Sequence, residues 1–281
     1  MKKQEIFVNF KRFDVPSALG GVNRTELRHW ASDIIRQVSP ALAGYREKAR
    51  FAMYFPESQL FDALDAADQS LVEVGCQSVY RSDVKKGSNF GAFTSLRPAA
   101  AMAAMGVRTT IIGHCEERNE KRNLLSSAGV SDMSVINSVL NEEIICAQER
   151  GLSVLYCIGE REDEVEDWDK VIRAQLTEGL RNVDLSKVTI AYEPVWSIGP
   201  GKTPAGKEYI TKVARLVKET AGDVSVVYGG GLKEENAAML ASIDEIDGGL
   251  IALTPFSGDI GFYPDEYLRI VELYMSSKEE K

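Results

Sequence analysis

The chain has 281 residues, 44% hydrophobic and 27% charged, which places it among folded globular chains and outside the disordered and fibrous classes. With 42 acidic against 33 basic side chains its net charge is −9, which argues against a nucleic-acid binder working through a general basic surface. An anionic small substrate stays possible if the site supplies its own positive field, and two histidines, His29 and His114, exclude a poly-histidine metal centre.

Taken in chain order, short apolar or β-branched runs alternate with longer stretches of helical period. Strands are expected over 5–10, 50–55, 70–79, 107–113, 153–158, 188–192, 224–228 and 248–253. Helices are expected over 25–37, 134–149, 170–181, 206–220, 234–241 and 265–275. His29 falls inside the first of these and reads as structural. Eight strands alternating with helices imply parallel pairing with right-handed crossovers. A closed barrel or an open doubly wound sheet would satisfy that alternation. The count of eight favours a single (β/α)8 barrel over 1–281, a fold of usually ~250 residues. No Pro/Gly/Ser-rich linker divides the chain.

Cys76, Cys115, Cys146 and Cys157 form no CxxC and sit in apolar runs, the pattern of free thiols in a reducing compartment. The N-terminus carries no apolar signal core, and no apolar run approaches the ~20 residues of a spanning helix. These features predict a cytoplasmic protein that binds neither membrane nor nucleic acid.

In a barrel, chemistry comes from the C-terminal ends of the strands. Asn9 and Lys11 follow the first strand, and alternation turns both into the barrel mouth. A lysine there calls for an anion. His114 follows the fourth strand at the start of a highly charged helix, whose positive end disfavours imidazolium, so His114 would serve as a neutral hydrogen-bond donor to a developing oxyanion. Glu193 ends the sixth strand. The apolar Val195, Trp196 and Ile198 and the glycines at 199 and 201 behind it read as a lid with an exposed tryptophan. Such a lid would exclude water and raise the basicity of the carboxylate. Each residue also has a plainer reading, as a core histidine, a surface lysine or an incidental loop glutamate. Their common placement at strand ends favours the functional one.

The segments NFK at 9–11, GAFTS at 91–95, GHCEER at 113–118, CIGE at 157–160, YEPVWSIGPGKT at 192–203, YGGG at 228–231 and IDG at 246–248 are similar, in order, to triosephosphate isomerase motifs. The resemblance implies a (β/α)8 barrel, usually a homodimer, with no cofactor and no metal. The activity implied is aldose–ketose isomerisation of a small phosphorylated sugar by proton transfer through an enediolate. By position, Glu193 resembles the base, His114 the electrophile and Lys11 the cation that binds substrate and steadies the enediolate. Asn9 resembles its polar neighbour and Glu116 a supporting carboxylate. Gly199 falls where the closing lid donates a backbone N–H to phosphate. The stretch from Gln77 to Ser95 resembles the loop that tucks into the partner subunit, with Thr94 at the contact; it is longer than usual here.

The anion end departs from the pattern. Gly231 stands where the family has serine, and Ala252 and Leu253 stand where it has two glycines whose amides hold phosphate. Leucine crowds that approach, and Pro255 removes an N–H. Gly231, Ala252 and Leu253 are nonetheless the matching substrate-binding positions, with Thr254 and Ser257 as further candidates. Pro200 between the lid glycines implies altered hinge stiffness. These changes leave open an isomerase for a tetrulose phosphate or another small keto-sugar, and a non-catalytic barrel that only binds. A metal-dependent lyase or aldolase is disfavoured, for no HxH spacing exists. At the subunit contact Glu117 replaces the first of two usual arginines while the 91–97 loop carries Arg97, which predicts an exchanged Arg97–Glu117 pair.

Overall fold

A computed structural model describes residues 2–199 and 201–279. Eight parallel strands close a barrel in sequence order: β1 (Gln4–Asn9), β2 (Ala49–Phe55), β3 (Val72–Gln77), β4 (Thr109–Ile112), β5 (Ser153–Ile158), β6 (Val188–Tyr192), β7 (Ser225–Tyr228) and β8 (Gly248–Ile251). The ring closes through β1–β8 pairing, Phe7 lying opposite Leu250. Around it lie α1 (Trp30–Leu42), α2 (Leu60–Ala67), α3 (Ala99–Met105), α4 (Cys115–Ser127), α5 (Val135–Glu149), α6 (Trp168–Gly179), α7 (Lys207–Ala221), α8 (Ala237–Ala241) and α9 (Pro264–Glu279). No helix among the described residues is long and apolar enough to cross a membrane.

The strands are apolar on both faces because both are covered. On β1, Ile6 and Val8 pack outward under the helices while Phe7 joins Ala52, Tyr54, Ile111, Leu155, Cys157, Ala191, Val227 and Leu250 inside the barrel. The same period of two carries a polar layer at each end. At the N-terminal end Arg50 holds Glu73 at 2.8 and 2.6 Å and Ser153 at 2.7 Å, and Thr189 donates to Glu5 at 2.7 Å. This ionic plug closes that mouth. Two residues past the apolar interior layer, the opposite mouth receives Asn9, Gln77 and Glu193.

The expected strands at 153–158 and 188–192 match β5 and β6, and each of the others differs by one or two residues at one or both of its bounds. The first helix differs more. It begins at Trp30, because Asn23 takes the amide and hydroxyl of Thr25 at 2.9 and 3.0 Å and Leu27–His29 form a separate 3-10 turn. It runs on to Leu42 because Val38 and Leu42 are buried. His29 is therefore not mid-helix. It lies in that turn, exposed, with Nδ1 3.7 Å from Asp62. α2 and α3 lie outside the helices expected from the sequence. β3 stops at Gln77, where Ser78 turns to φ +83, and β8 stops at Ile251, which leaves Ala252 and Leu253 in a bend.

Candidate active site

A cleft of about 640 Å³ opens at the C-terminal mouth, lined by Asn9, Lys11, Gln77, Arg97, His114 and Glu116 among others. Asn9 is buried, and its Oδ1 accepts the Lys11 amide at 3.0 Å and Gln77 Nε2 at 3.2 Å. Gln77 Nε2 also donates to the Lys11 carbonyl at 2.7 Å. These bonds hold Lys11 at φ +45, a left-handed conformation that costs a non-glycine residue roughly 1–2 kcal/mol. The strained turn projects Lys11 from the rim, and no carboxylate lies within ion-pair distance of it among the described residues.

Gly113 ends β4 with φ +78, and a Cβ there would come within 2.8 Å of the Cys157 carbonyl. This turn places His114 as the N-cap of α4. Its Nδ1 accepts the amide of Glu116 at 3.4 Å. Nδ1 is thus the unprotonated nitrogen and Nε2 carries the proton. The carboxylate of Glu116 is exposed on the rim of the same cleft, so its fixed contribution here is its backbone N–H.

Glu193 lies behind Cys115 and does not line the cleft in this conformation. It is 2% exposed. Its Oε2 accepts the Cys115 amide at 2.8 Å, and Oε1 stands 3.5 Å from His114 Nε2. Burial pushes its carboxyl above the ordinary carboxylate range, against the opposing pull of His114, the Cys115 amide and Lys11. On its other side Gly229 is indispensable, since a Cβ there would lie 2.7 Å from Glu193 Cγ.

His114 Nε2, a Cys115 sulfur and a Glu193 oxygen lie within 4.8 Å of one another, spacing that a metal could use. The chemistry of the set points elsewhere. Nε2 bears a proton, and burial beside Glu193 pushes the Cys115 thiol up to about 12. Protonated donors facing one buried carboxylate suit proton transfer better than metal ligation.

The structure brings Asn9, Lys11, His114, Glu116 and Glu193 together. Gly199, Gly231, Ala252 and Leu253 do not line the cleft; Gly231, Ala252 and Leu253 lie on loops beyond Glu193, and Gly199 is exposed on the lid. Thr254 is spent on its own loop, its amide donating to Gly261 at 3.0 Å and its Oγ1 accepting the Tyr263 amide at 3.0 Å. Pro200 lies outside the described residues.

Trp196 is not the exposed residue the sequence suggested. It is half-buried, and its Nε1 donates to Glu160 Oε1 at 2.7 Å. The hydroxyls of Tyr192 and Tyr209 donate to the same oxygen at 2.9 and 3.0 Å, which anchors the lid's near end. Glu160 and Gln77 carry no role in the sequence reading. Their signal was a polar residue at a strand end, the same one that marked Asn9.

The exchanged Arg97–Glu117 pair does not form. Glu117 accepts from the Gly113 amide at 2.7 Å, Ser78 at 3.0 Å and Lys121 at 2.7 Å. Lys121, one turn along α4, is the nearer cation. Arg97 pairs with Glu57. Lys121 also contacts Glu143 at 3.1 Å, and burial with the Glu117 charge beside it pushes the Glu143 carboxyl well above the usual range.

The sequence model described as triosephosphate isomerase matches residues 22–261. A triosephosphate isomerase of Parasynechococcus marenigrum is 30% identical over 244 residues, 85% of this chain and 90% of its own length. One from Chlorobaculum tepidum is 37% identical over 194 residues, 65% of this chain and 71% of its own. The crystal structure of triosephosphate isomerase from Bartonella henselae superposes with a TM-score of 0.72 at 21% identity, covering 97% of this chain and 99% of that one, which speaks to the fold. With the family match spanning most of the barrel and the strand-end residues gathered at its mouth, the chain belongs to the triosephosphate isomerase family.

Proposed function

We propose that this barrel interconverts glyceraldehyde 3-phosphate and dihydroxyacetone phosphate, an internal hydrogen shift that needs no net oxidant or reductant. One observation carries the assignment of roles: a buried carboxylate, raised in pKa, stands 3.5 Å from the protonated nitrogen of an imidazole at the barrel mouth. Glu193 takes a proton from the carbon beside the carbonyl, and the bond to that hydrogen supplies the electron pair of the enediolate. His114 Nε2–H donates to the carbonyl oxygen as charge builds there. Lys11 balances the enediolate charge and Asn9 fixes Lys11. The Glu116 amide sets the tautomer of His114. His114 Nε2 gives its proton to the carbonyl oxygen and takes one from the neighbouring hydroxyl, and Glu193 then returns the carbon-bound proton to the adjacent carbon. To reach substrate it exchanges the Cys115 amide for the substrate carbon, a step that closure of the lid at Gly199 accompanies. Gly231, Ala252 and Leu253 face the phosphate end through their backbone.

Dihydroxyacetone phosphate incubated with the protein in D2O tests the reading. Expected are conversion to an aldehyde bearing deuterium on the carbon that received the returned proton, and deuterium in recovered dihydroxyacetone phosphate on the carbon that had lost hydrogen. Neither conversion nor exchange would remove the isomerase assignment, and turnover confined to a tetrulose phosphate would favour the other substrate.

We also propose a homodimer in a reducing cytoplasm. The loop from Gln77 to Ser95 is tied to the body by Asp83, which pairs with Arg150 and accepts the Ala100 amide at 3.1 Å. That leaves Phe90 at its tip 86% exposed. Where the two ends of this loop meet α4 and α5 lies a cleft of about 560 Å³ lined by Val79, Leu96, Leu124, Val135 and others, an apolar seat of the kind a second copy's loop needs. The reducing compartment is supported by four free cysteines. Sedimentation should show a dimer that Phe90→Asp shifts towards monomer; a wild-type monomer at micromolar concentration would refute the assembly.

A further inference from the structure

The loops beyond Glu193 hold a cation that the roles above do not use. Lys233 follows the glycine turn after β7 and is half-buried. Its Nζ lies 3.8 Å above the centroid of the Phe256 ring, which belongs to the loop after β8. A cation over an aromatic face is held in place without being neutralised. No carboxylate lies within 4 Å of this ammonium among the described residues. Its neighbour Glu234 is engaged by Arg269 at 3.1 Å, so the turn's own acid does not answer it.

The same turn connects this lysine to the reacting carboxylate. Gly229 packs against Glu193, since a Cβ added there would lie 2.7 Å from Glu193 Cγ, and Gly231 lies against the Lys233 stem, with a Cβ there 3.6 Å from Lys233 Cε. Gly231 has φ +98, which turns the chain so that the stem runs back towards the β8 loop. The Leu232 amide donates to the Leu250 carbonyl at 2.9 Å and ties the β7 turn to strand β8, from which the Phe256 loop leaves. Across the gap, in the β8 loop, the Thr254 amide is engaged by the Gly261 carbonyl and Pro255 has no N–H.

We infer that Lys233, steadied by Phe256, is the cation that holds the phosphate of the substrate, a side-chain contact beside the backbone amides of that end. A lysine is a point charge with three donors, suited to a phosphate that also touches free amides. The inference rests on the isomerase reading for its substrate and for the place of the anionic end, and adds to that end one side chain, Lys233.

Calorimetric titration with inorganic phosphate tests it without turnover. Lys233→Met should weaken phosphate binding about 10- to 100-fold, the span of one charge-assisted hydrogen bond. Lys233→Arg should recover most of that loss, and Phe256→Leu should weaken binding less than Lys233→Met does. The KM for triose phosphate should rise in parallel while kcat changes less than about threefold, because the contact is equal in ground and transition states. Lys170→Met, a charge loss at an exposed Lys170–Asp167 pair, should leave phosphate binding unchanged. Phosphate binding by Lys233→Met as tight as by the wild type, or none by the wild type, overturns the inference. A wild type that binds phosphate in a Lys233-dependent way yet turns over no triose phosphate would instead sink the isomerase reading alone.

Discussion

Replacement of Glu193 by glutamine is expected to lower kcat by about 10²- to 10⁴-fold, the usual contribution of a positioned general base, with little change in KM. Glutamine keeps the shape and still accepts the Cys115 amide, so the loss isolates proton transfer from binding. Glu193→Asp keeps the charge but withdraws it by one methylene, and a misplacement of ~1 Å costs on the order of 10²-fold. The pH dependence follows from the raised pKa, whose chief cause is burial. The base must be ionised to act, so kcat/KM should fall as pH drops through a value above the ordinary ~4.3 of a glutamate. Stability runs the opposite way. A carboxyl with a higher pKa in the folded than in the unfolded state favours folding when protonated, and that stabilisation is lost as pH rises through the folded value. At neutral pH the ionised Glu193 therefore costs stability, and Glu193→Gln should melt at or above the wild-type temperature while losing activity. Thermal melts at pH 7 beside steady-state kinetics check both signs. A variant that is both active and less stable would contradict the role and the burial argument together.

This opposition between function and stability was half legible in the sequence. Residues placed by the strand period alone could be read from it: 189, 191 and 193 share a face of β6, so Glu193 had to enter the mouth once the strand was placed, and Asn9 follows from β1 in the same way. Contacts between elements far apart in the chain could not be read. Gln77 meets Asn9 across 68 residues and Trp196 meets Glu160 across 36, and no local pattern encodes either. Where two partners compete, proximity decides: Lys121 reaches Glu117 within one turn, and Arg97 turns to Glu57. Helices failed where periodicity was weak. The run Ala99–Met105 is alanine and methionine throughout and has no polar face to reveal it, whereas β5 and β6 are buried on both faces and announced themselves as mostly apolar, β-branched or aromatic runs.

Arg118→Met should destabilise the protein by about 2–5 kcal/mol, because it strips donors from several buried acceptors at once. Arg118 is 9% exposed. Its Nε donates to the Gly113 carbonyl at 2.9 Å, Nη1 to Asn137 Oδ1 at 3.0 Å, and Nη2 to the Cys157 carbonyl and the Tyr156 hydroxyl, each at 3.0 Å. No carboxylate pairs with it among the described residues, so carbonyl dipoles balance the guanidinium. Methionine fills much of the volume and relieves the burial of a charge, which offsets part of the loss. It still leaves the Gly113 and Cys157 carbonyls without their side-chain donor. At roughly 2–4 °C per kcal/mol for a chain of this size, the melting temperature should fall by roughly 4–20 °C. Lysine keeps the charge but not the planar fork, and Arg118→Lys should recover only part of the stability. The damage should extend to catalysis. Gly113 is the residue before His114, and its left-handed turn sets where the imidazole begins, so loss of the clamp on its carbonyl frees the electrophile from its register against Glu193. The expected signature is a kcat that falls even at temperatures where Arg118→Met remains folded, with KM for triose phosphate little changed. A folded Arg118→Met with wild-type kcat would show that the β4 turn holds His114 without the arginine, and would confine Arg118 to joining α4, α5 and β5.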